Sequence, residues 1–280
     1  MTEKTESLQS TQGETTQRPI PSLGFGTFQL KGATCIQAVA TALEVGYRHI
    51  DTAQMYENEA EVGKAIRASG VPRSELFVTT KVWRTNLRSE DFRRSTDECL
   101  SKLGLDQVDL LLIHWPNRDI PLDEPLEALQ NAKEEGKTKR VGVSNFAPSQ
   151  LEHALKVIPD LACLQVEYHP LLSQDRLLEI VRSNGMFLTA YSPLGQGRLL
   201  DKWRLKRIAR AHGKNTAQTI LRWHLQQNGV VPIPRSGNVD HIRSNFDVFD
   251  FELTKDEMDR IDALDAGKRF VNPGWVDWER

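Results

Sequence analysis

Four ionisable side chains in this sequence each close, or stand just beyond, a short apolar run. Asp51 follows His49-Ile50, and Tyr56 lies five residues further on. Lys81 ends the run in Thr79-Thr80-Lys81-Val82-Trp83, and His114 ends the run in Leu112-Ile113-His114-Trp115-Pro116. Singly, an Asp at a strand end is a turn cap, a Lys reaches for solvent, a Tyr packs and a His beside Trp sits in a core. Together they fit those roles poorly, because several charges buried at one mouth are costly unless paired, and Lys81 and Asp51 can pair. A phenol with a pKa of ~10 is a poor acid at neutral pH. An ammonium ~4 Å from its oxygen contributes ~4 kcal/mol at an effective dielectric near 20, enough to lower that pKa by roughly two or three units. Tyr56 could then protonate an oxygen on which negative charge develops, with Asp51 aiming Lys81 and His114 donating a second hydrogen bond. Such a set suits the reduction of a carbonyl. It holds no source of electrons, so a hydride donor must bind beside it.

These side chains converge only if the elements carrying them end at one rim. Apolar runs at 24–28, 47–53, 76–82, 108–114, 140–145, 163–169, 187–193 and 230–234 alternate with helical patterns. The helical patterns fall at 34–44, 59–69, 89–103, 124–135, 148–157, 175–183, 216–227 and 239–245, with further helices at 200–211 and 254–264. Asn58 with Glu61 three residues on reads as a capping box opening the second helix. Residues 76–78 and 110–113 are apolar consecutively rather than alternately, so both strand faces must be covered, as in a parallel sheet under helices. Eight strand–helix pairs make a closed (β/α)8 TIM barrel, with two additional helices and a short C-terminal loop. An open doubly wound sheet would want G-x-G-x-x-G after its first strand, and Gly24-Phe25-Gly26-Thr27-Phe28-Gln29 lacks the third glycine. In such a barrel the chemistry belongs at the C-terminal ends of the strands.

The 36 basic and 38 acidic residues give a net charge of −2, which argues against a general electrostatic nucleic-acid binder. No apolar run approaches the roughly 20 residues that a membrane helix needs. Residues 1–17 are polar, lack the apolar middle of a secretory signal, and read as a disordered tail before one domain over 18–280. Cys35, Cys99 and Cys163 are odd in number and far apart, as expected of reduced, buried thiols in a cytoplasmic protein. The histidines outside the set show no metal-ligand spacing, so no metal is expected, and His49 shares a strand face with Asp51 as a barrel-core residue. No coiled-coil seam suggests assembly, so a monomer is expected.

The stretch Gly46-Tyr47-Arg48-His49-Ile50-Asp51-Thr52-Ala53-Gln54-Met55-Tyr56-Glu57-Asn58-Glu59 resembles the signature of the aldo-keto reductase family. The likeness continues through the lysine strand, Leu111-Leu112-Ile113-His114-Trp115-Pro116, Val141-Gly142-Val143-Ser144-Asn145-Phe146 and Ile233-Pro234-Arg235-Ser236, from about Pro19 to the end. Phe25, Gln54-Met55, Trp115-Pro116 and the short final loop most resemble the bacterial diketogluconate and methylglyoxal reductase branch. The resemblance implies a catalytic tetrad of Asp51, Tyr56, Lys81 and His114 acting on small carbonyl compounds or keto sugars, with NADPH, and NADH as a second possibility, extended across the barrel mouth. It also implies that Ser144, Asn145 and Gln165 hold the carboxamide of the nicotinamide and that Tyr191 stacks on the ring. Gly26, Thr27, Ser192, Leu194 and Gly195 would line the cofactor path, and Arg235, Ser236, Asn238 and Asn245 would grip the adenosine phosphate and adenine. Arg235 suits a 2′-phosphate because its planar fork donates two hydrogen bonds.

One position departs from the family pattern. Six residues past Arg235, where an arginine is common, stands His241, and an imidazole mostly neutral at pH 7 supplies less charge. Weaker discrimination between NADPH and NADH is the expectation. Phe25, Trp83 and Trp115, joined by Trp275 and Trp278, would form aromatic walls around the carbonyl. Two other functions compete with this one. Metal-dependent hydrolysis would need a ligand cluster at the strand ends, and a cofactor-sensing regulatory subunit would not need an intact tetrad.

Overall fold

The structure, a computed structural model, describes residues 20–276 and 278, so the tail expected over residues 1–17 lies outside the described residues. Eight strands form one parallel sheet in the order of the chain: β1 (Gly24–Gly26), β2 (His49–Asp51), β3 (Phe77–Val82), β4 (Leu110–Ile113), β5 (Val141–Ser144), β6 (Cys163–Glu167), β7 (Phe187–Tyr191) and β8 (Val230–Pro232). The amide of Gly26 donates to the carbonyl of Pro234 at 3.0 Å, which brings the first strand against the last and closes the barrel. A Cβ at Gly26 would stand 2.9 Å from the carbonyl oxygen of Ile233, so this seam needs a residue without a side chain. Every strand residue except Tyr191 is buried, as the unbroken apolar runs require.

Helices cover the outside: α1 (Gly32–Val45), α2 (Glu59–Ala68), α3 (Ser89–Leu103), α4 (Asp123–Glu134), α5 (Pro148–Val157), α6 (Asp175–Ser183), α7 (Trp203–Ala211), α8 (Thr216–Leu225), α9 (Val239–Phe246) and α10 (Lys255–Asp262). The seventh strand is followed by two helices and the chain adds α10 after the eighth unit, which are the two extra helices expected. Thr254 and Glu257 form a reciprocal capping box on α10, and Asn215 and Gln218 form another on α8. Asn58 does not cap α2. Its amide instead donates to the carbonyls of Thr27 and Leu30 at 2.8 and 2.9 Å and its oxygen accepts from Thr52, so it ties the loop after β1 to the loop that carries Tyr56. The apolar run at 47–53 yields a strand of only three residues, because Tyr47 packs on Phe25 and Phe246 while Thr52 and Ala53 already turn toward Tyr56.

The barrel interior is divided along its axis. Phe77, Leu110, Leu112, Cys163, Phe187 and Val231 fill the end where the strands begin, with Ile20 packed against them. His49, fully buried and bonded to Thr79 at 3.1 Å, lies above that layer, and burial pulls its pKa down to about 4. Asp51, Lys81 and Gln165 lie above it in turn, so the interior becomes polar only toward the C-terminal rim. The three cysteines are buried and form no disulfide. Among the described residues no helix is long and apolar enough to cross a membrane.

Candidate active site

Three acceptors surround the fully buried Lys81 ammonium. Asp51 Oδ1 lies at 2.6 Å, the Thr52 carbonyl at 2.8 Å and the Tyr56 hydroxyl oxygen at 3.5 Å. An ammonium has three N–H bonds, so all are used. The Tyr56 oxygen therefore accepts, which leaves its own proton to point elsewhere. Asp51 Oδ2 accepts from Gln165 Nε2 at 2.8 Å, so both oxygens of the buried carboxylate are satisfied. Removing one partner of such a pair costs about 3–5 kcal/mol, whereas the intact pair has its desolvation offset by these extra bonds.

Tyr56 ends a single 3-10 turn, Gln54–Tyr56, closed by Glu57 in the left-handed region at φ 50°. Gln54 Oε1 accepts from the Trp83 amide at 3.0 Å and from Asn86 Nδ2 at 3.2 Å, which fixes this turn to the loop after β3. The His114 ring stands edge-on to Tyr56 at 5.5 Å and to Trp83 at 5.1 Å between ring centres. Its Nδ1 is buried without a partner. Burial, reinforced by the Lys81 charge, holds the His114 pKa well below the ordinary histidine value, so the ring is neutral.

The sequence led us to expect that Lys81 would lower the Tyr56 pKa, and the structure reverses that direction. Burial raises it well above 10, and the Asp51 carboxylate raises it further. Lys81 is itself pulled below its ordinary value by burial, against the opposing pull of Asp51. The hydroxyl is thus protonated throughout the neutral range.

Beside this group the backbone of Asn145 adopts φ 63°. Its amide donates to the Gln165 carbonyl at 3.0 Å, and its side-chain nitrogen donates to the His114 carbonyl at 3.0 Å and to Ser144 Oγ at 2.9 Å. Tyr191 Oη donates to Asn145 Oδ1 at 2.8 Å, which fixes the tyrosine ring at the edge of the same cluster.

A cavity of about 840 Å³ opens from these residues across the barrel mouth to α9. Asp51, Tyr56, His114 and Trp115 line one part, and Gly26, Thr27, Ser144, Asn145, Gln165 and Tyr191 line the next. Ser192 and Leu194 continue it toward Arg235, Ser236, His241 and Asn245. Gly195 and Asn238 stand behind the lining, and the Asn238 side chain accepts from the His241 amide at 3.0 Å, capping α9. Arg235 donates to Gln29 Oε1 at 2.6 Å.

Phe25 does not belong to this wall. Gly24 and Gly26 face the barrel interior, so the residue between them faces outward, and Phe25 packs edge-on to Tyr47 at 5.7 Å, only 1% exposed. The aromatic residue beside the phenol is Phe28, 5.1 Å from the Tyr56 ring and 42% exposed. Trp83 reaches the site through His114 rather than through the cavity wall. Trp278 stands 5.8 Å from Trp115, and Trp275 lies under the Arg84 guanidinium at 5.1 Å. Met55 also lines the cavity, as do Val271 and residues 215–217, which carried no sequence signal of their own.

The closed parallel barrel thus carries an Asp–Lys–Tyr–His cluster at its C-terminal rim beside a long adjoining groove. Residues 22–266 match the sequence model of the Aldo/keto reductase family, and the chain belongs to that family. It is 44% identical over 252 residues to the glyoxal reductase of Bacillus subtilis (strain 168), spanning 89% of this chain and 91% of the relative. It is 41% identical over 258 residues to methylglyoxal reductase DkgB of Escherichia coli O157:H7, spanning 91% and 96%. Among solved structures it resembles a candidate 2,5-diketo-D-gluconic acid reductase B with a TM-score of 0.91 and 43% identity over 93% of this chain and 94% of the other.

Proposed function

We propose that this protein reduces small aldehydes and ketones, keto sugars included, with a nicotinamide dinucleotide and with NADPH as the usual donor. The observation that carries the reading is the Lys81 ammonium, held by Asp51 at 2.6 Å and directed at the Tyr56 oxygen at 3.5 Å beside an 840 Å³ groove. The groove's residues suit a dinucleotide. Ser144, Asn145 and Gln165 offer hydroxyl and amide groups for a carboxamide, Tyr191 offers a fixed aromatic ring, and Arg235, Ser236 and Asn245 offer donors for a phosphorylated adenosine. Bound there, the dinucleotide would supply the hydride.

The chain's own residues supply the rest. A carbonyl oxygen that enters between Tyr56 and His114 is polarised by the neutral imidazole N–H and the phenolic O–H. As negative charge grows on that oxygen, the Tyr56 O–H bond breaks and the proton passes to it. The raised phenol pKa is no obstacle, since an alkoxide is about as basic as hydroxide (water pKa ~15.7). Lys81 stabilises the phenolate left behind, and Asp51 keeps the ammonium aimed. The identities of the two bacterial reductases, named for glyoxal and methylglyoxal, support substrates of that size. The test is loss of NADPH absorbance at 340 nm with methylglyoxal and with a nitrobenzaldehyde. Many turnovers per protein molecule are expected. Tight NADPH binding with no turnover of either would instead mark a cofactor sensor.

A further inference from the structure

Two residues beyond Gln165 on the same face of β6, the strand ends in a second buried carboxylate. The Glu167 side chain is 0% exposed, and Arg269 interacts with its charge without a direct ion pair among the described residues. Its partners are N–H groups. Oε1 accepts from the Phe270 amide at 2.9 Å and from His169 Nε2 at 3.1 Å, and Oε2 accepts from the Val271 amide at 3.0 Å. The Leu171 amide donates to His169 Nδ1 at 3.3 Å, so the ring proton sits on Nε2 and points at the carboxylate. Burial alone would raise the Glu167 pKa, but donation from His169 and from the Val271 and Phe270 amides outweighs it and holds the group below its ordinary value. A charged carboxylate is thus spent on two consecutive amides of the segment that follows α10.

That segment crosses the barrel mouth. Ala266 and Lys268 donate their amides to the Leu171 carbonyl at 3.3 and 2.8 Å, and the Phe270 ring lies over His169 at 5.0 Å. Val271 then enters the cavity wall, Trp275 meets Arg84, and Trp278 meets both Trp115 and, at 3.7 Å, Arg269. Glu167 itself pairs in register with Tyr191. Phe270 packs against the core, and beyond it the strap takes its path from these polar and aromatic contacts.

We infer that Glu167 is a positioning residue that, by accepting the Phe270 and Val271 amides, holds Val271 in the cavity wall and Trp278 against Trp115, and so sets the affinity for bulky carbonyl substrates. The inference rests on the reductase reading. Glu167 touches none of the reacting atoms, so its loss should weaken substrate binding while leaving the chemical step in place.

The test is Glu167→Gln, which keeps the volume but presents an NH2 group where one backbone N–H needs an acceptor. For a nitrobenzaldehyde, KM should rise at least fivefold while kcat stays within threefold and the Kd for NADPH within threefold. For methylglyoxal, KM should change less than twofold. Acrylamide quenching of tryptophan fluorescence should increase. Deleting residues 272–280 should raise KM for the nitrobenzaldehyde at least as much, and adding E167Q to that deletion should raise it less than twofold further. Unchanged KM and quenching in E167Q, or KM effects that multiply in the combined variant, would overturn the inference. Should E167Q not fold, the same readings on Phe270→Pro decide, because it deletes one donated amide and leaves the carboxylate and the cavity lining in place. A wild-type protein that turns over neither aldehyde would sink the reductase reading, while the quenching comparison still decides the role of Glu167.

Discussion

Replacing Lys81 by methionine removes the cation and keeps most of the aliphatic stem. At 3.5 Å and an effective dielectric near 20, the ammonium attracts a phenolate on Tyr56 by about 5 kcal/mol. Asp51, paired to the same ammonium, cancels part of that field, so about half, ~2.5 kcal/mol, is the lower bound for the loss at the transition state. At ~1.4 kcal/mol per factor of ten, the single-turnover rate of NADPH oxidation in stopped flow should fall between roughly 60-fold and roughly 4 × 10³-fold. Stability should fall as well, by about 3–5 kcal/mol, because Asp51 is left buried and uncompensated. The double variant Asp51→Asn/Lys81→Met separates the two effects: it should recover most of the lost stability and none of the lost rate. Urea unfolding reports the first and stopped flow the second. If Lys81→Met folds as well as the wild type and loses less than tenfold in rate, the argument that this cation supports the phenolate is wrong.

The pH dependence of kcat/KM follows from the directions of the pKa shifts. His114 is pushed well below 6.5 and would gain its proton only on the acid side of that value, while Tyr56 is pushed well above 10 and would lose its own only beyond it. The profile for reduction should therefore be flat through the neutral range, with its alkaline limb set first by Lys81, which burial pulls below 10.5, and an inflection near 7 with a nonionisable aldehyde would contradict the assignment. For cofactor choice, His241→Arg adds a guanidinium to the cavity wall near Arg235. A charge-assisted hydrogen bond is worth about 1.5–3 kcal/mol, so the ratio of kcat/KM for NADPH over NADH should rise about tenfold or more. An unchanged ratio would show that position 241 does not read the 2′-phosphate.

Much of the rim could be read from the chain because polar residues interrupt apolar runs at strand ends. Asp51, Lys81 and His114 each stand where the apolar pattern stops, and the barrel delivers all three to one end. The aromatic wall was harder to read. In a strand of three residues flanked by glycines, Phe25 looks as available as Phe28, and only the inward demand for space at Gly24 and Gly26 tells which way it points. Asn58 carried a capping pattern, but its amide has better-placed partners in the Thr27 and Leu30 carbonyls, and tertiary contacts outweighed the local motif. Glu167 shares the inward face of β6 with Gln165, and that two-residue spacing was the available signal. What it holds comes from a segment 103 residues away, which no local pattern shows. The direction of the Tyr56 shift depended on burial, which the sequence alone did not supply.

Tyr56→Phe gives the most direct test of the central assignment, because it removes one hydroxyl and leaves the groove, Lys81 and Asp51 in place. NADPH binding, followed by quenching of tryptophan fluorescence, should stay within about threefold of the wild type, since the phenol acts on the substrate. The single-turnover rate with methylglyoxal should fall by about 10³-fold or more, combining the general-acid contribution of 10²–10⁴ with the lost hydrogen bond. A phenylalanine variant that binds NADPH normally and still reduces methylglyoxal at a tenth of the wild-type rate or faster would contradict the assignment of Tyr56 as the proton donor.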